Sequence, residues 1–134
     1  MEFNFLVVDD DEINLYIMTR LVEKAAYKTN MVTKTDGNLG VDYLEELIEN
    51  KEELPKLILV DINMPISDGW EFLEKYRKLK VEQDIDVYVL TSSVFDTDIE
   101  KSKNYDFLSG FISKPITIQK LDEIFAESGA EVCN

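Results

Sequence analysis

The chain has 134 residues, one domain's worth and enough for a real core, and its 45% hydrophobic content excludes a disordered acidic chain. Its 28 acidic against 14 basic side chains leave a net charge of −14, which favours solubility and argues against nucleic acid or an anionic membrane as a direct partner. No histidine and a single Cys133 exclude a His-based triad, a His-ligated metal, a phosphohistidine on this chain, a disulfide framework and a zinc cluster.

The N-terminus, MEFNFLVVDDD, lacks a basic segment and turns acidic where a signal peptide needs small residues. No apolar run approaches the roughly 20 residues of a membrane span, so a cytoplasmic protein is expected. Phe3 to Val8 is the first strand, and it ends in Asp9, Asp10 and Asp11. Asp11 and Glu12 suit the positive end of a helix dipole, so a helix should start there. Ile13, Ile17, Leu21 and Ala25 recur at helical spacing as its core stripe. Leu15, Met18 and Val22 form a row beside it, read as a buried helix edge or, more sharply, as a docking surface for a partner.

Tyr27 to Thr33 is a more polar strand, as expected at a sheet edge. Thr35 to Asn38 makes a turn and cap, and Val41 to Ile48 carries the next helix. The Gly37 to Gly40 spacing lacks the first glycine pair of a dinucleotide fingerprint. After the charged loop Glu49 to Glu53, Pro55 stops any helix. Leu57 to Val60 is a short apolar run that reads as a buried strand, ends in Asp61, and is followed by the turn residues Pro65, Asp68 and Gly69. Phe72, Leu73, Tyr76 and Leu79 trace an amphipathic helix, with Trp70 at its start as a packing residue. Val87 to Leu90 is a strand ending in Thr91-Ser92-Ser93. Thr97 and Glu100 have capping-box spacing, so a helix is expected from about Thr97. Gly110 to Ser113 is the last strand, ending in Lys114-Pro115. Thr117 can cap a final helix carrying Ile118, Leu121 and Phe125, and residues 127–134 read as a frayed tail.

Strands and helices alternate about five times without a linker, which predicts a single α/β domain over 1–126: a doubly wound parallel sheet with helices on both faces. Parallel strands deliver their carboxyl ends to one edge, where open α/β sheets bind ligands. This chain leaves Asp9 and Asp10, Asp61, Thr91 and Lys114 there. Singly, each has an ordinary structural role as a cap, a turn residue or solvated surface. Together they suggest a site. Neighbouring carboxylates repel unless a cation intervenes, and hard oxygen donors suit Mg²⁺. Such an ion with Lys114 and the Thr91 hydroxyl would trap a tetrahedral dianion, and the carboxylate left at the centre is a plausible nucleophile toward phosphorus.

At this point the chain resembles the receiver domain of two-component response regulators, over Phe3 to about Ala126. The resemblance is carried by FLVVDD (5–10), LVDINMPISDG (59–69), LTSS (90–93) and GFISKP (110–115). It implies a flavodoxin-like (βα)5 fold with strand order 2-1-3-4-5. It also implies that Asp61 is the phosphoacceptor. Asp10, Asp61 and the backbone carbonyl of Asn63 would hold Mg²⁺, with Asp9 acting largely through water. Thr91 and Phe111 would be the switch pair, and Lys114 the phosphate-pairing lysine, its bond to Pro115 often cis in the family. Phe111 is Phe rather than Tyr, so a switch hydroxyl is absent. Ser92 leaves access for a phosphodonor, and Asn63 and Ser93 occupy positions that tune dephosphorylation.

The expected function is a phosphoacceptor in a two-component phosphorelay, a signalling domain rather than an enzyme. The phosphoryl donor would be a histidine kinase or histidine-phosphotransfer protein. Output would pass through protein contacts, with no output domain after the last helix, and the chain would be a monomer or a phosphorylation-dependent dimer. The alternatives are an aspartate-nucleophile phosphatase, disfavoured because Asn63 stands where the general acid is needed, and a phosphorylation-independent binding module.

Overall fold

The computed structural model describes residues 3–64, 68–92 and 95–133. Pro65 and Ser93, read above as a turn residue and a tuning position, lie outside them. Twelve elements follow in order: β1 (Asn4–Val8), α1 (Glu12–Lys24), β2 (Tyr27–Lys28), β3 (Asn30–Lys34), α2 (Gly37–Glu49), β4 (Leu57–Asp61), α3 (Gly69–Leu79), β5 (Asp86–Thr91), α4 (Asp96–Ser102), β6 (Leu108–Ser113), α5 (Ile118–Glu127) and β7 (Glu131–Val132). Five strands form one parallel sheet in the order β3-β1-β4-β5-β6. Counting those five alone, the order is the expected 2-1-3-4-5.

The apolar strands feed two cores because successive side chains point to opposite faces. Leu6, Val8, Ile58, Val60, Val87 and Val89 meet α2 and α3 through Val41, Leu44, Phe72, Leu73 and Tyr76. Phe5, Val7, Leu57, Leu59 and Leu90 meet α1 and α5 through Met18, Ala25, Leu121, Ile124 and Phe125. Helices therefore cover both faces, and β4 is buried along its whole length. Among the described residues, no helix is long and apolar enough to cross a membrane.

Four local expectations change. The single edge strand splits: β3 pairs with β1, while β2 pairs antiparallel with β7. The end of the chain is thus a short strand rather than a frayed tail, and the Cys133 N–H donates to the Ala26 carbonyl at 2.8 Å. Helix α4 starts at Asp96, where the Asp98 carboxylate accepts from the Phe95 N–H, so the Thr97–Glu100 pair is not its capping box. The largest change is the face that α1 turns inward. Asn14, Met18 and Ala25 are buried, whereas Ile13 is 74% exposed and Ile17 only half-buried. Asp11 caps the helix by accepting from the Ile13 and Asn14 N–H groups, and Asp9 holds the Asn14 side chain inward. That phase turns Ile13 out.

Candidate functional site

The strand ends converge as the topology requires. Beyond β1, the Asp9 N–H donates to the Lys34 carbonyl at 3.0 Å, which prolongs the sheet and fixes Asp9 at its edge. Its side chain has no solvent exposure. Asp9 Oδ1 accepts from the Asp11 N–H at 2.9 Å, and Oδ2 accepts from Asn14 Nδ2 at 2.6 Å and from Lys114 Nζ at 3.0 Å. Asp61, 3% exposed, closes β4. Its Oδ1 accepts from the Asn63 N–H at 2.9 Å and its Oδ2 from Lys114 Nζ at 3.0 Å. Thr91 closes β5, buried, and its hydroxyl accepts from Asn63 Nδ2 at 3.4 Å. The Lys114 N–H donates to the Thr91 carbonyl at 2.9 Å, and the following bond to Pro115 is cis. The ammonium reaches across the strand ends to Asp9 and Asp61.

Burial pushes the Asp9 carboxyl above its ordinary range, with the Asp11 N–H and Lys114 opposing and the Asp61 charge adding to the rise. For Lys114, burial pulls the ammonium down, but its contacts with Asp61 and Asp9 outweigh that and hold it above the ordinary lysine range. One ammonium thus offsets two buried carboxylates.

Gly69 explains the Asp-Gly that follows the central strand. A Cβ there would lie 2.5 Å from the Asp61 carbonyl oxygen and 2.7 Å from Ile62 Cα, so only glycine lets α3 begin this close to the end of β4. Asp68 caps that helix by accepting from the Glu71 N–H at 2.9 Å.

Asp9, Asp10 and Asp61 each present an oxygen within 4.8 Å of the others. A hard, all-oxygen donor set of this kind fits a divalent cation such as Mg²⁺ rather than a soft metal. Asp10 and Asp61 line an open cleft of about 510 Å³, together with Ile13, Asn14, Ile17, Asn63 and Pro115, whereas the fully buried Asp9 does not. An ion would therefore meet Asp10 and Asp61 first and Asp9 behind them.

The structure brings together Asp9, Asp10, Asp61, Asn63, Thr91 and Lys114. Phe111 pairs in register with Val89 on β6, half-buried against the α2–α3 core and outside the cleft lining. Of the row Leu15, Met18 and Val22, the buried-edge reading holds for Met18, while Leu15 and Val22 stay partly exposed. Met18 has no exposure, and Leu15 and Val22 pack partly buried against the same core, because this line of α1 faces the sheet. Among the described residues lining the cleft, Ile13 is apolar and exposed and Ile17 is half-buried. Asn14 was missed altogether. Its only sequence signal is a polar residue on the line of Met18 and Ala25, five positions after Asp9.

A family profile, the response regulator receiver domain, matches residues 5–126. The probable methanogenesis regulatory protein FilR2 of Methanothrix harundinacea is 26% identical over 125 residues, covering 93% of this chain and 80% of that protein. The peroxide stress-activated histidine kinase mak1 of Schizosaccharomyces pombe is 28% identical over 127 residues, which is 92% of this chain but 7% of the kinase. A solved two-component response regulator from Legionella pneumophila is similar at a TM-score of 0.83 and 28% identity, covering 95% of this chain and 98% of that one.

Proposed function

The chain belongs to the response regulator receiver domains of two-component signalling, and from that premise we propose that Asp61 accepts a phosphoryl group from a phosphohistidine on a partner kinase or histidine-phosphotransfer protein. A carboxylate oxygen of Asp61 attacks phosphorus, the P–N bond to the partner imidazole breaks, and an acyl phosphate forms on Asp61. The observation that carries this reading is Lys114, whose Nζ stands 3.0 Å from both Asp61 and Asp9 in the lining of an open cleft of about 510 Å³. Lys114 can follow the incoming negative charge and pair a phosphoryl oxygen. Mg²⁺, held by Asp10, Asp61 and the Asn63 carbonyl with Asp9 behind, would neutralise the other phosphoryl oxygens.

The Thr91 hydroxyl, which accepts from the Asn63 amide at 3.4 Å, would turn toward a phosphoryl oxygen. Phe111 would follow it inward, shifting the population toward a signalling surface near β6 and α4. The partner would dock on the cleft rim at Ile13, Ile17 and Pro115, with the partly exposed Leu15 and Val22 of α1 beside it. The phosphatase reading gains nothing from the geometry: the Asn63 amide donates to Thr91 and cannot deliver a proton to a leaving group.

Intact mass after incubation with acetyl phosphate and Mg²⁺ tests this directly. The expected result is one added phosphoryl group, absent in Asp61→Asn. No addition, or an equal addition in Asp61→Asn, would overturn the assignment.

A further inference from the structure

We propose that Asn14 is a positioning residue for the acidic site, its amide fixing the Asp9 carboxylate independently of Lys114. The inference rests on the receiver reading and extends it to a residue which that reading does not use.

Asn14 sits in the first turn of α1, 6% exposed, and its Nδ2 donates to Asp9 Oδ2 at 2.6 Å. Two ordinary explanations fail. The helix does not need this side chain as a cap, because Asp11 already accepts from the Ile13 and Asn14 backbone N–H groups. Packing does not call for an amide either. The position lies on the line of Met18 and Ala25, where an aliphatic residue would suit the core and has better helix propensity. A buried amide is retained without cost only when its hydrogen bonds are made. The bond it makes is to Asp9.

The two donors on Asp9 Oδ2 differ in kind. Lys114 is shared with Asp61 at the same 3.0 Å, and a phosphoryl group on Asp61 would draw that ammonium away. Among the described residues the Asn14 side chain bonds to Asp9 and not to Asp61, and it sits on a capped helix, so it stays. It is also neutral, so it orients the carboxylate without cancelling the negative field that attracts a cation. With Asp11 N–H on Oδ1 and Asn14 on Oδ2, Asp9 keeps its rotamer in both states of Lys114.

The test is Mg²⁺ affinity by titration calorimetry on the full chain, in a double-mutant cycle of Asn14→Leu and Asp9→Asn. Loss of a hydrogen bond that orients a ligand group typically weakens metal binding about 10- to 100-fold, so about tenfold is expected for Asn14→Leu in the wild-type background. In the Asp9→Asn background the same substitution should change affinity less than twofold, because there is no carboxylate to hold. An equal loss in both backgrounds would mean that Asn14 merely supports the helix, and no loss in the first would remove its role; either result overturns the inference. Asn14→Ala, which adds no bulk, replaces Asn14→Leu should the larger side chain unfold the protein, with the urea midpoint as the check. Wild-type protein that binds no Mg²⁺ would instead overturn the receiver site itself.

Discussion

Replacing Gly69 with Ala should destabilise the fold and slow phosphorylation at Asp61 in the same step. The added Cβ would stand 2.5 Å from the Asp61 carbonyl oxygen, 2.7 Å from Ile62 Cα and 2.9 Å from the Asp61 carbonyl carbon. Comfortable contacts between heavy atoms lie near ~3.5 Å or beyond, so the overlap runs from about 0.6 to 1 Å against three backbone atoms. No side chain can swing aside. On one side, β4 is fixed between β1 and β5; on the other, α3 is anchored by the fully buried Phe72 and Leu73. Overpacking of this kind costs about 1–3 kcal/mol, which for a domain of this size lowers the melting temperature by roughly 3–10 °C. Whatever the end of β4 yields is displacement of Asp61 relative to Lys114. Urea unfolding gives the stability loss, and the initial rate of acetyl phosphate labelling gives the functional loss. Gly129→Ala is the control: its φ of +91° is strained for alanine, but nothing lies within 4 Å of the new Cβ, so it should cost about 1 kcal/mol and leave labelling unchanged. An unchanged unfolding midpoint for Gly69→Ala would refute the close-approach argument. A lost midpoint with an unchanged labelling rate would refute the link between this glycine and the site.

Lys114→Met should destabilise the metal-free protein by about 3–5 kcal/mol at neutral pH, since it leaves two neighbouring buried carboxylates without their cation. Because the folded Lys114 pKa lies above the ordinary value, its stabilisation is complete below about pH 10.5 and is lost as pH rises through the folded value. Tyr76, pushed up to about 12 by burial, also loses stability at alkaline pH, so the lysine is read from wild type minus Lys114→Met in melts; that difference should hold from about pH 7 to 10 and shrink only above the ordinary lysine value, and a difference already shrinking below about pH 9 would contradict its charged role. Ile13→Ser should slow transfer from a phosphohistidine partner about tenfold, the effect of losing ~1.4 kcal/mol of apolar contact, with acetyl phosphate labelling unaffected. Equal rates from the partner would remove the cleft rim as the docking surface.

The sheet was legible because its signals are short-range and redundant. Leu57 to Val60 is apolar without interruption, as a strand buried on both faces must be, and the Asp61 that ends it has to lie at the carboxyl edge once the sheet is parallel. The same logic placed Asp9, Thr91 and Lys114 together from nothing but strand ends. Gly69 was readable as a turn, but its purpose was not, since the Asp61 carbonyl that excludes a Cβ is a tertiary contact. Pairing of β2 with β7 was hidden for a related reason. Two residues on each side carry no periodicity, and their partner lies a hundred residues away along the chain, so composition at residues 127–134 read as fraying.

Helix α1 was placed correctly and turned wrongly, and the reason bears on the site. Advancing one residue along a helix rotates the face by about 100°, so choosing Ile13 rather than Asn14 as the first inward position exchanges core for rim. Hydrophobic periodicity favours Ile13, because it scores an amide as a break in the stripe. A polar need agrees with the apolar packing of Met18 and Ala25: a carboxylate with no solvent exposure at Asp9 needs donors, and the first turn of the next helix supplies one. Satisfying Asp9 pulls Asn14 in, and Ile13 is thereby presented at the cleft, apolar and 74% exposed, beside the acceptor it would help a partner reach. The acidic site and the apolar line of Met18 and Ala25 thus select the same inward face, and the proposed docking rim at Ile13 follows from that shared choice.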